Sequence, residues 1–544
     1  MPPHEASFRY TLWAALQFHL VEFASCCIQY FWVGKTNTIR WLVAAALIVG
    51  GVFTVNFYLD REVQTLARDM LAEHFHSEVA LDTIHVRLLP TARVSGSGLV
   101  LSQTYGGAKI PFISAQKFSA NASLWGMLSH TRQLHHVRVE GLIITVARHP
   151  QGEKQPTAKR KVPELDIDEV EADGAKLVIL ANKPGKRSLV YDMHHLVLTQ
   201  VGKSNVMHYL ANLRNALPPG EIEAEGSFGP WNFDDAGGTH LDGNYVFKKA
   251  DLGVFKQISG TLSSTGSFTG ELGRIDVKGS TETPDFAVKS GSHPVNLHTD
   301  FDATVDGTNG DTQLHSVRAK LLNSTFVVNG TIVDVPGPTG HIIYLHVVSD
   351  DAKVQDMLRV AVKTPPAMKG GLKFDAKVKI NPGQGPVRNR ITAEGRAYIV
   401  NGYFSSETVS EKIAELSNRA QGNPKGDKDA QVPAKFDTAF RLDAGKLAIR
   451  SLNFNVPGAE AKLHGTYVLD DQTLDFSGTA MLQSTVSEMT TGFKSLLLKA
   501  VDPMFKTKNA GTVLPITITG TRDEPKFKVQ MKRLGEAKKE AQSN

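Results

Sequence analysis

The sequence predicts a mainly β protein, in which an N-terminal transmembrane helix is followed by a long, curled antiparallel β-sheet, groove-like, with a few short helices. Three observations predict it. Residues 41 to 59 (WLVAAALIVGGVFTVNFYL) form an uncharged run of 19 residues between Arg40 and Asp60. Beyond residue 78, apolar side chains return at every second position through most of the chain, the period of a half-buried strand. Glycine followed by Ser or Thr recurs at strand-like positions, as a sheet that bends steadily requires.

The first element is the apolar run. At about 1.5 Å per residue it spans close to 30 Å as a helix, the thickness of a bilayer's hydrocarbon. Trp41, Leu42, Leu47, Ile48, Val52, Phe53, Phe57 and Leu59 would meet lipid. A cleaved signal peptide is the alternative, but the run exceeds a usual h-region and Asn56-Phe57-Tyr58 is a poor cleavage site. Lys35 and Arg40 before the span are matched by Arg61 and Arg68 after it, so basic residues alone leave the orientation undecided. Residues 1–40 read as a cytoplasmic tail, its shortness favouring the large portion outside the cytoplasm. Translation from the codon of Val33 would give a short tail, Gly34-Lys35-Thr36-Asn37, before the span.

Asp60 to His76 follows with Val63, Leu66, Ala67, Met70, Leu71 and Phe75 at helical spacing, a short stalk helix. Strands are then predicted around residues 79–81, 84–88, 94–101 and 136–147, with a short helical plug at Leu124 to Leu128 (LWGML). The basic stretch within 151–165, KQPTAKRK at 154–161, lies among Gly152, Pro156 and Pro163 and reads as a solvated loop; contact with anionic headgroups is the other reading. A central β-groove is predicted over 166–403, with strands at 175–180, 195–200, 221–228, 240–247, 253–264, 273–281, 300–306, 312–333, 341–348, 372–380 and 391–400. Residues 404–430 read as a helix (406–419) and a linker. A last β-region covers 431–530, with strand pattern at 436–482 and 512–530 and an amphipathic helix at 484–505, and residues 531–544 form a charged tail. Eight Gly-Ser or Gly-Thr pairs (glycines 226, 260, 266, 279, 330, 465, 478 and 520) are spaced too irregularly for a repeat array.

The alternation gives the sheet one apolar and one polar face. Helices are too few to cover the apolar face, and no sandwich-sized blocks are visible, so acyl chains are the natural filling of a trough. Candidate lining residues are Val137, Val139, Phe440, Leu442, Leu452, Phe454 and Val456, with packing as the alternative. Met489, Phe493, Leu497 and Val501 on the helix at 484–505 are candidates for contact with a membrane or with the groove end.

Composition narrows the chemistry. The chain has 544 residues and a net charge of +5, with acidic and basic residues interspersed, a pattern that does not favour nucleic acid. Cys26 and Cys27 are its two cysteines, both before the anchor, so neither disulfides nor cysteine metal sites are expected beyond it. His74-x-His76, His135-His136 and His194-His195 lack a third ligand at metal spacing, and no nucleophile elbow, phosphate loop or dinucleotide fingerprict is present. The expectation is therefore no catalytic residues, no metal, no cofactor and no enzyme.

Leu88-Leu89-Pro90, Leu124-Trp125-Gly126-Met127-Leu128 and Val137-x-Val139-Glu140-Gly141-Leu142, in that order behind an anchor and stalk, resemble the amino-terminal region of AsmA-like proteins. The closing segment, Leu514-Pro515-Ile516 through Gly520-Thr521 to Pro525, is similar to the carboxy-terminal end of that family, and Gly266-Ser267-Phe268 to Thr283-Pro284-Asp285-Phe286 looks like its bacterial members. The resemblance implies a single-pass inner-membrane protein with its large C-terminal portion in the periplasm, related to TamB-like repeating β-groove lipid-transfer proteins. It implies phospholipids and the inner membrane as partners, with outer-membrane or envelope proteins as a further class, and a role in lipid transport and cell-envelope biogenesis. The alternative is a non-enzymatic assembly or scaffold factor for outer-membrane proteins. With roughly two dozen strands at about 4.8 Å apiece, a continuous trough would reach on the order of 120 Å.

Overall fold

The computed structural model describes residues 64–529, apart from 123–131, 147–164, 181–187, 486–510 and shorter stretches between and within elements. The protein is mainly β, as predicted: the described residues form 26 strands and two α-helices, α1 (Val354–Ala361) and α2 (Glu407–Ala420), besides short 3-10 turns. The run Trp41 to Leu59, the plug at Leu124 to Leu128, the basic stretch at 154–161 and the helix carrying Met489, Phe493, Leu497 and Val501 lie outside the described residues. Among those described, no helix is long and apolar enough to cross a membrane. The described residues between 64 and 72 are helical, and Arg68 Nη2 donates to the Leu81 carbonyl at 2.6 Å. The chain divides into two compact units: residues 1–147, 157–177 and 195–205, and residues 148–156, 178–194 and 206–544.

In the first unit, β1 (Glu78–Ala80) and β2 (Thr83–Arg87) both pair with β3 (Ala92–Tyr105), and β3 pairs with β4 (Ala108–Ala122). β4 in turn pairs with β5 (Arg132–Glu140) and β6 (Ile143–Val146), all antiparallel. Gly141, at φ +63, turns the chain between β5 and β6, where a left-handed backbone costs glycine nothing. β7 (Leu165–Ile179) then pairs with β5 in parallel, which corrects the expectation of a wholly antiparallel sheet. The physical reason is connection length: parallel pairing needs a crossover of a dozen or more residues, and the chain between Val146 and Leu165 provides it. β8 (Leu189–Val201) follows, its residues 189–194 falling in the second unit.

The second unit is an antiparallel meander. β9 (Met207–Ala216), β10 (Pro219–Phe228), β11 (His240–Asp251), β13 (Thr261–Glu271), β14 (Arg274–Val288) and β15 (Val295–Val305) pair in that sequence. β12 (Ile258–Ser259) is a two-residue strand on the end of β14. The meander continues through β16 (Thr312–Leu321), β17 (Ser324–Asp334), β18 (His341–Lys353), β19 (Met368–Ile380), β20 (Ile391–Phe404) and β21 (Ala434–Asp443). It closes with β22 (Lys446–Val456), β23 (Ala459–Val468), β24 (Thr473–Leu482), β25 (Thr512–Thr521) and β26 (Pro525–Val529). The long predicted stretch 312–333 is thus a hairpin turned at Leu322 (φ 53), and 436–482 is four strands turned at Ala444-Gly445 (φ 45 and 81), Gly458 (φ 83) and Gln472 (φ 56).

Most of the fully buried side chains of this unit lie along one edge of the meander. That edge holds the turns β14 to β15, β16 to β17 and β22 to β23 and the connections through α1 and α2. Val295, Leu321, Phe326 and Ala352 form a core cluster there, with Met357 and Val360 of α1 packed against it. Asp356 of α1 is 4% exposed and accepts from the Asn323 amide (2.9 Å) and from Ser324 Oγ (2.8 Å). α2 buries Ala414, Ser417 and Ala420, and Ser417 Oγ donates to the Pro457 carbonyl at 2.7 Å. Bulges fall beside the same edge, between Phe247 and Ala250 and between Ser349 and Ala352; each bends its strand, and Ala250 and Ala352 just beyond them are fully buried.

Candidate functional site

Cross-strand partners in an antiparallel pair project from the same face, so the registers identify what each face carries. One row runs Phe268, Val277, Ala303, Leu314, Gly330, Leu345, Val378, Ala393, Leu442, Leu447, one residue per strand from β13 to β22. The next runs Phe301, Val317, Val328, Val347, Ala376, Gly395, Phe440, Ile449 from β15 to β22. Neither contains a charged or polar side chain. Between them on the opposite face, Asp302 opposes Ser316 on β15 and β16, and Asn329, His346, Lys377, Glu394 and Arg441 form a polar row from β17 to β21 that ends on Ala448 of β22.

The apolar rows are half-covered at most of their length. Phe268, Val277, Leu314, Leu345, Val378, Phe440 and Leu442 are neither buried nor fully exposed, because flanking side chains of the same face shield them while no second sheet packs on them among the described residues. Helices α1 and α2 reach only the covered edge, where the fully buried side chains gather. The face is therefore packed along one edge and unroofed across its middle.

Five of the residues singled out in the sequence share this face. Phe440 opposes Gly395 and Ile449, Leu442 opposes Ala393 and Leu447, and Leu452 opposes Thr438 and Leu463. Phe454 opposes Phe436, their rings 4.9 Å apart, and Val456, at 6% exposure, belongs to the covered edge rather than the open middle. Val137 and Val139 belong to the first unit, on β5, opposite Ala120 and Phe118. Phe268, Leu314, Leu345 and Val378 were not singled out; each is one apolar residue in an ordinary alternation, and only the register shows that they align.

Glycine shapes the same face. Tyr245 opposes Gly266, which opposes Gly279. A methyl group on Gly266 would run into the Lys278 carbonyl, so strand backbones approach too closely there for any side chain. The Tyr245 ring occupies the space and its hydroxyl meets Ser264 Oγ at 3.1 Å; burial raises its pKa above the usual 10. Tyr209, lying over Gly243, is pushed up to about 12, first by burial and then by the charge of Asp242.

No family model, curated protein or solved structure matches the chain.

A polar cluster forms where sequence spacing gave no sign of one. Glu171, Asp173 and His195 bring their ligand atoms within 4.8 Å of one another, in the manner of a metal site. Glu171 and Asp173 on β7 and His195 on β8 are 24 and 22 positions apart in the chain, beyond the reach of a spacing motif. The cluster already holds its own cation: Arg138 donates to Asp173 Oδ2 at 2.8 Å while His195 Nδ1 lies 2.8 Å from Oδ1. With both oxygens taken, the Asp173 carboxyl is held below the usual range, by His195 first and Arg138 next. His136 completes the network, 3.0 Å from Glu169 and 3.5 Å from Glu171. A charge-compensated surface network of this kind offers a metal ion no vacant carboxylate at Asp173.

Proposed function

We propose that the apolar face of the second unit binds phospholipid acyl chains, in a membrane-anchored envelope protein of the AsmA-like type that supports lipid transport. The observation that carries the reading is the pair of uninterrupted apolar rows, unroofed in their middle. Each methylene kept out of water contributes about 0.8 kcal/mol, so a chain of about fifteen methylenes gains on the order of 12 kcal/mol from such a face. Adjacent rows offer nearly equal contacts, so a chain can shift from strand to strand without entering water. The anchor at Trp41 to Leu59 would keep this face supplied from the inner membrane, with the body in the periplasm. The covered edge supplies the stability that a sheet with an open face lacks, and it gives the bound chains a closed side.

Mass spectrometry of lipids extracted from the full-length protein, purified in detergent, tests the reading. Wild type is expected to retain several phospholipids per chain, and Leu345→Asp with Val378→Asp to lose most of them. A chain that folds stably and retains no more lipid than this double variant would overturn it in favour of a protein-binding scaffold.

A further inference from the structure

The opposite, polar face holds a second feature, independent of the apolar rows. Between the rows Asn329, His346, Lys377, Glu394, Arg441 and Tyr344, Lys379, Thr392 lies an open cleft of about 530 Å³. Its floor is backbone, because the intervening Leu345, Val378 and Ala393 project to the other face. The volume lies within the range of small-ligand sites.

The cleft's charges are largely uncommitted. His346 Nε2 lies 2.7 Å from Asp375, which holds that carboxylate at the rim of the cleft. Lys379 Nζ stands 5.6 Å from the centre of the Tyr344 ring, an arrangement that holds a cation in place. Lys377 and Arg441 flank Glu394 in the register, yet among the described residues neither forms an ion pair; the pairs of this region are His346 with Asp375 and Lys373 with Asp350. Among the lining side chains three cations, Lys377, Lys379 and Arg441, face one carboxylate, Glu394, while Asp375, bonded to His346, and Asp443, opposite Thr392, stand at the rim.

We propose that this cleft binds a phosphate-bearing anion. Arg441 offers the planar fork that matches phosphate oxygens, and Lys377 and Lys379 add point charges on either side. Glu394 opposes binding and sets a modest affinity. The chemistry is shared by a lipid headgroup and a free phosphate compound, and the choice of probe separates them.

The test is a titration of the full-length protein in neutral detergent at low salt, followed by ³¹P NMR line broadening, with sn-glycero-3-phosphoglycerol as a chain-free headgroup and inorganic pyrophosphate as a free phosphate. Lys377, Glu394 and Arg441 are exposed, so their variants should keep the fold. Lys377→Gln and Arg441→Gln are each expected to weaken binding about threefold to tenfold, and Glu394→Gln to tighten it. Tighter binding of the headgroup assigns a lipid source, and tighter binding of pyrophosphate a soluble one. If neither probe binds, or if the three variants bind as wild type does, the site is refuted. Because none of these residues lies on the apolar face, that failure leaves lipid retention unchanged and is distinct from a failure of the acyl-chain reading.

Discussion

Gly266 illustrates how single residues govern the apolar face. Its neighbour across the strand leaves no room for a Cβ, and Tyr245 takes the space over it. Gly266→Val is therefore expected to destabilise the protein by about 1–3 kcal/mol, the usual cost of overpacking, seen as a lower urea midpoint. A companion Tyr245→Ala change should not restore it, since the clash is with backbone. His298 on the polar face carries a pH dependence. Its Nδ1 lies 2.6 Å from Glu282 and its Nε2 3.4 Å from Asp300, and the Glu282 hydrogen bond first, with both carboxylate charges, raises its pKa above the ordinary 6.5. A group raised on folding stabilises fully below its unfolded value and loses that contribution as pH rises through its folded value. Thermal midpoints should thus fall as pH rises from about 6.5, and His298→Gln should flatten that slope. The glycines were legible in the sequence as a recurring Gly-Ser or Gly-Thr pair; the histidine partners were not, since Glu282 and His298 meet only through a strand register.

Among the elements, α1 joins the covered edge to the rest of the second unit. Asp356 accepts from the Asn323 amide and Ser324 Oγ, and Ser324 Oγ in turn accepts from the Lys353 amide at 2.9 Å. Asp356→Ala leaves buried donors without a partner, at a cost of about 1–3 kcal/mol. Hydrogen exchange is expected to speed up at residues 353–361 and around the turn at 322–324, and unchanged exchange there would show that α1 is held by packing alone. The helix α2 was readable from its 3.6-residue spacing over 406–419, whereas α1 was not, because its eight residues follow directly on a strand. β9 escaped for a different reason: Leu210 puts an apolar side chain on its exposed face, 45% accessible, and blurs the alternation of Met207, Tyr209, Ala211 and Leu213. β4 and most of β7 also escaped, in β7 because Asp166, Asp168, Glu169, Glu171 and Asp173 outnumber the apolar residues that face inward. In the segment 253–264, a 3-10 turn (Leu252–Val254) and the short β12 precede β13, where a single strand was expected.

For the molecule as a whole, the mainly β class and the meander were legible because alternation is a local property. The parallel β5–β7 pair and the alignment of apolar rows were not, because both depend on which strand lies beside which. Two substitutions distinguish apolar rows that are core from apolar rows that are surface. Val295 is 3% exposed within the covered-edge cluster, so Val295→Asp places a charge where water cannot reach, and such burial typically costs about 3–5 kcal/mol when unpaired. Leu345 lies in the unroofed middle, half-covered by its neighbours, so an aspartate there keeps access to water and should cost about 1 kcal/mol, the centre of the range for point substitutions. Equilibrium unfolding in urea should therefore show a large loss for Val295→Asp and a small one for Leu345→Asp, while bound phospholipid falls in the folded Leu345→Asp protein. Equal and large losses of stability in both would make the rows an internal core, leaving no open face for acyl chains.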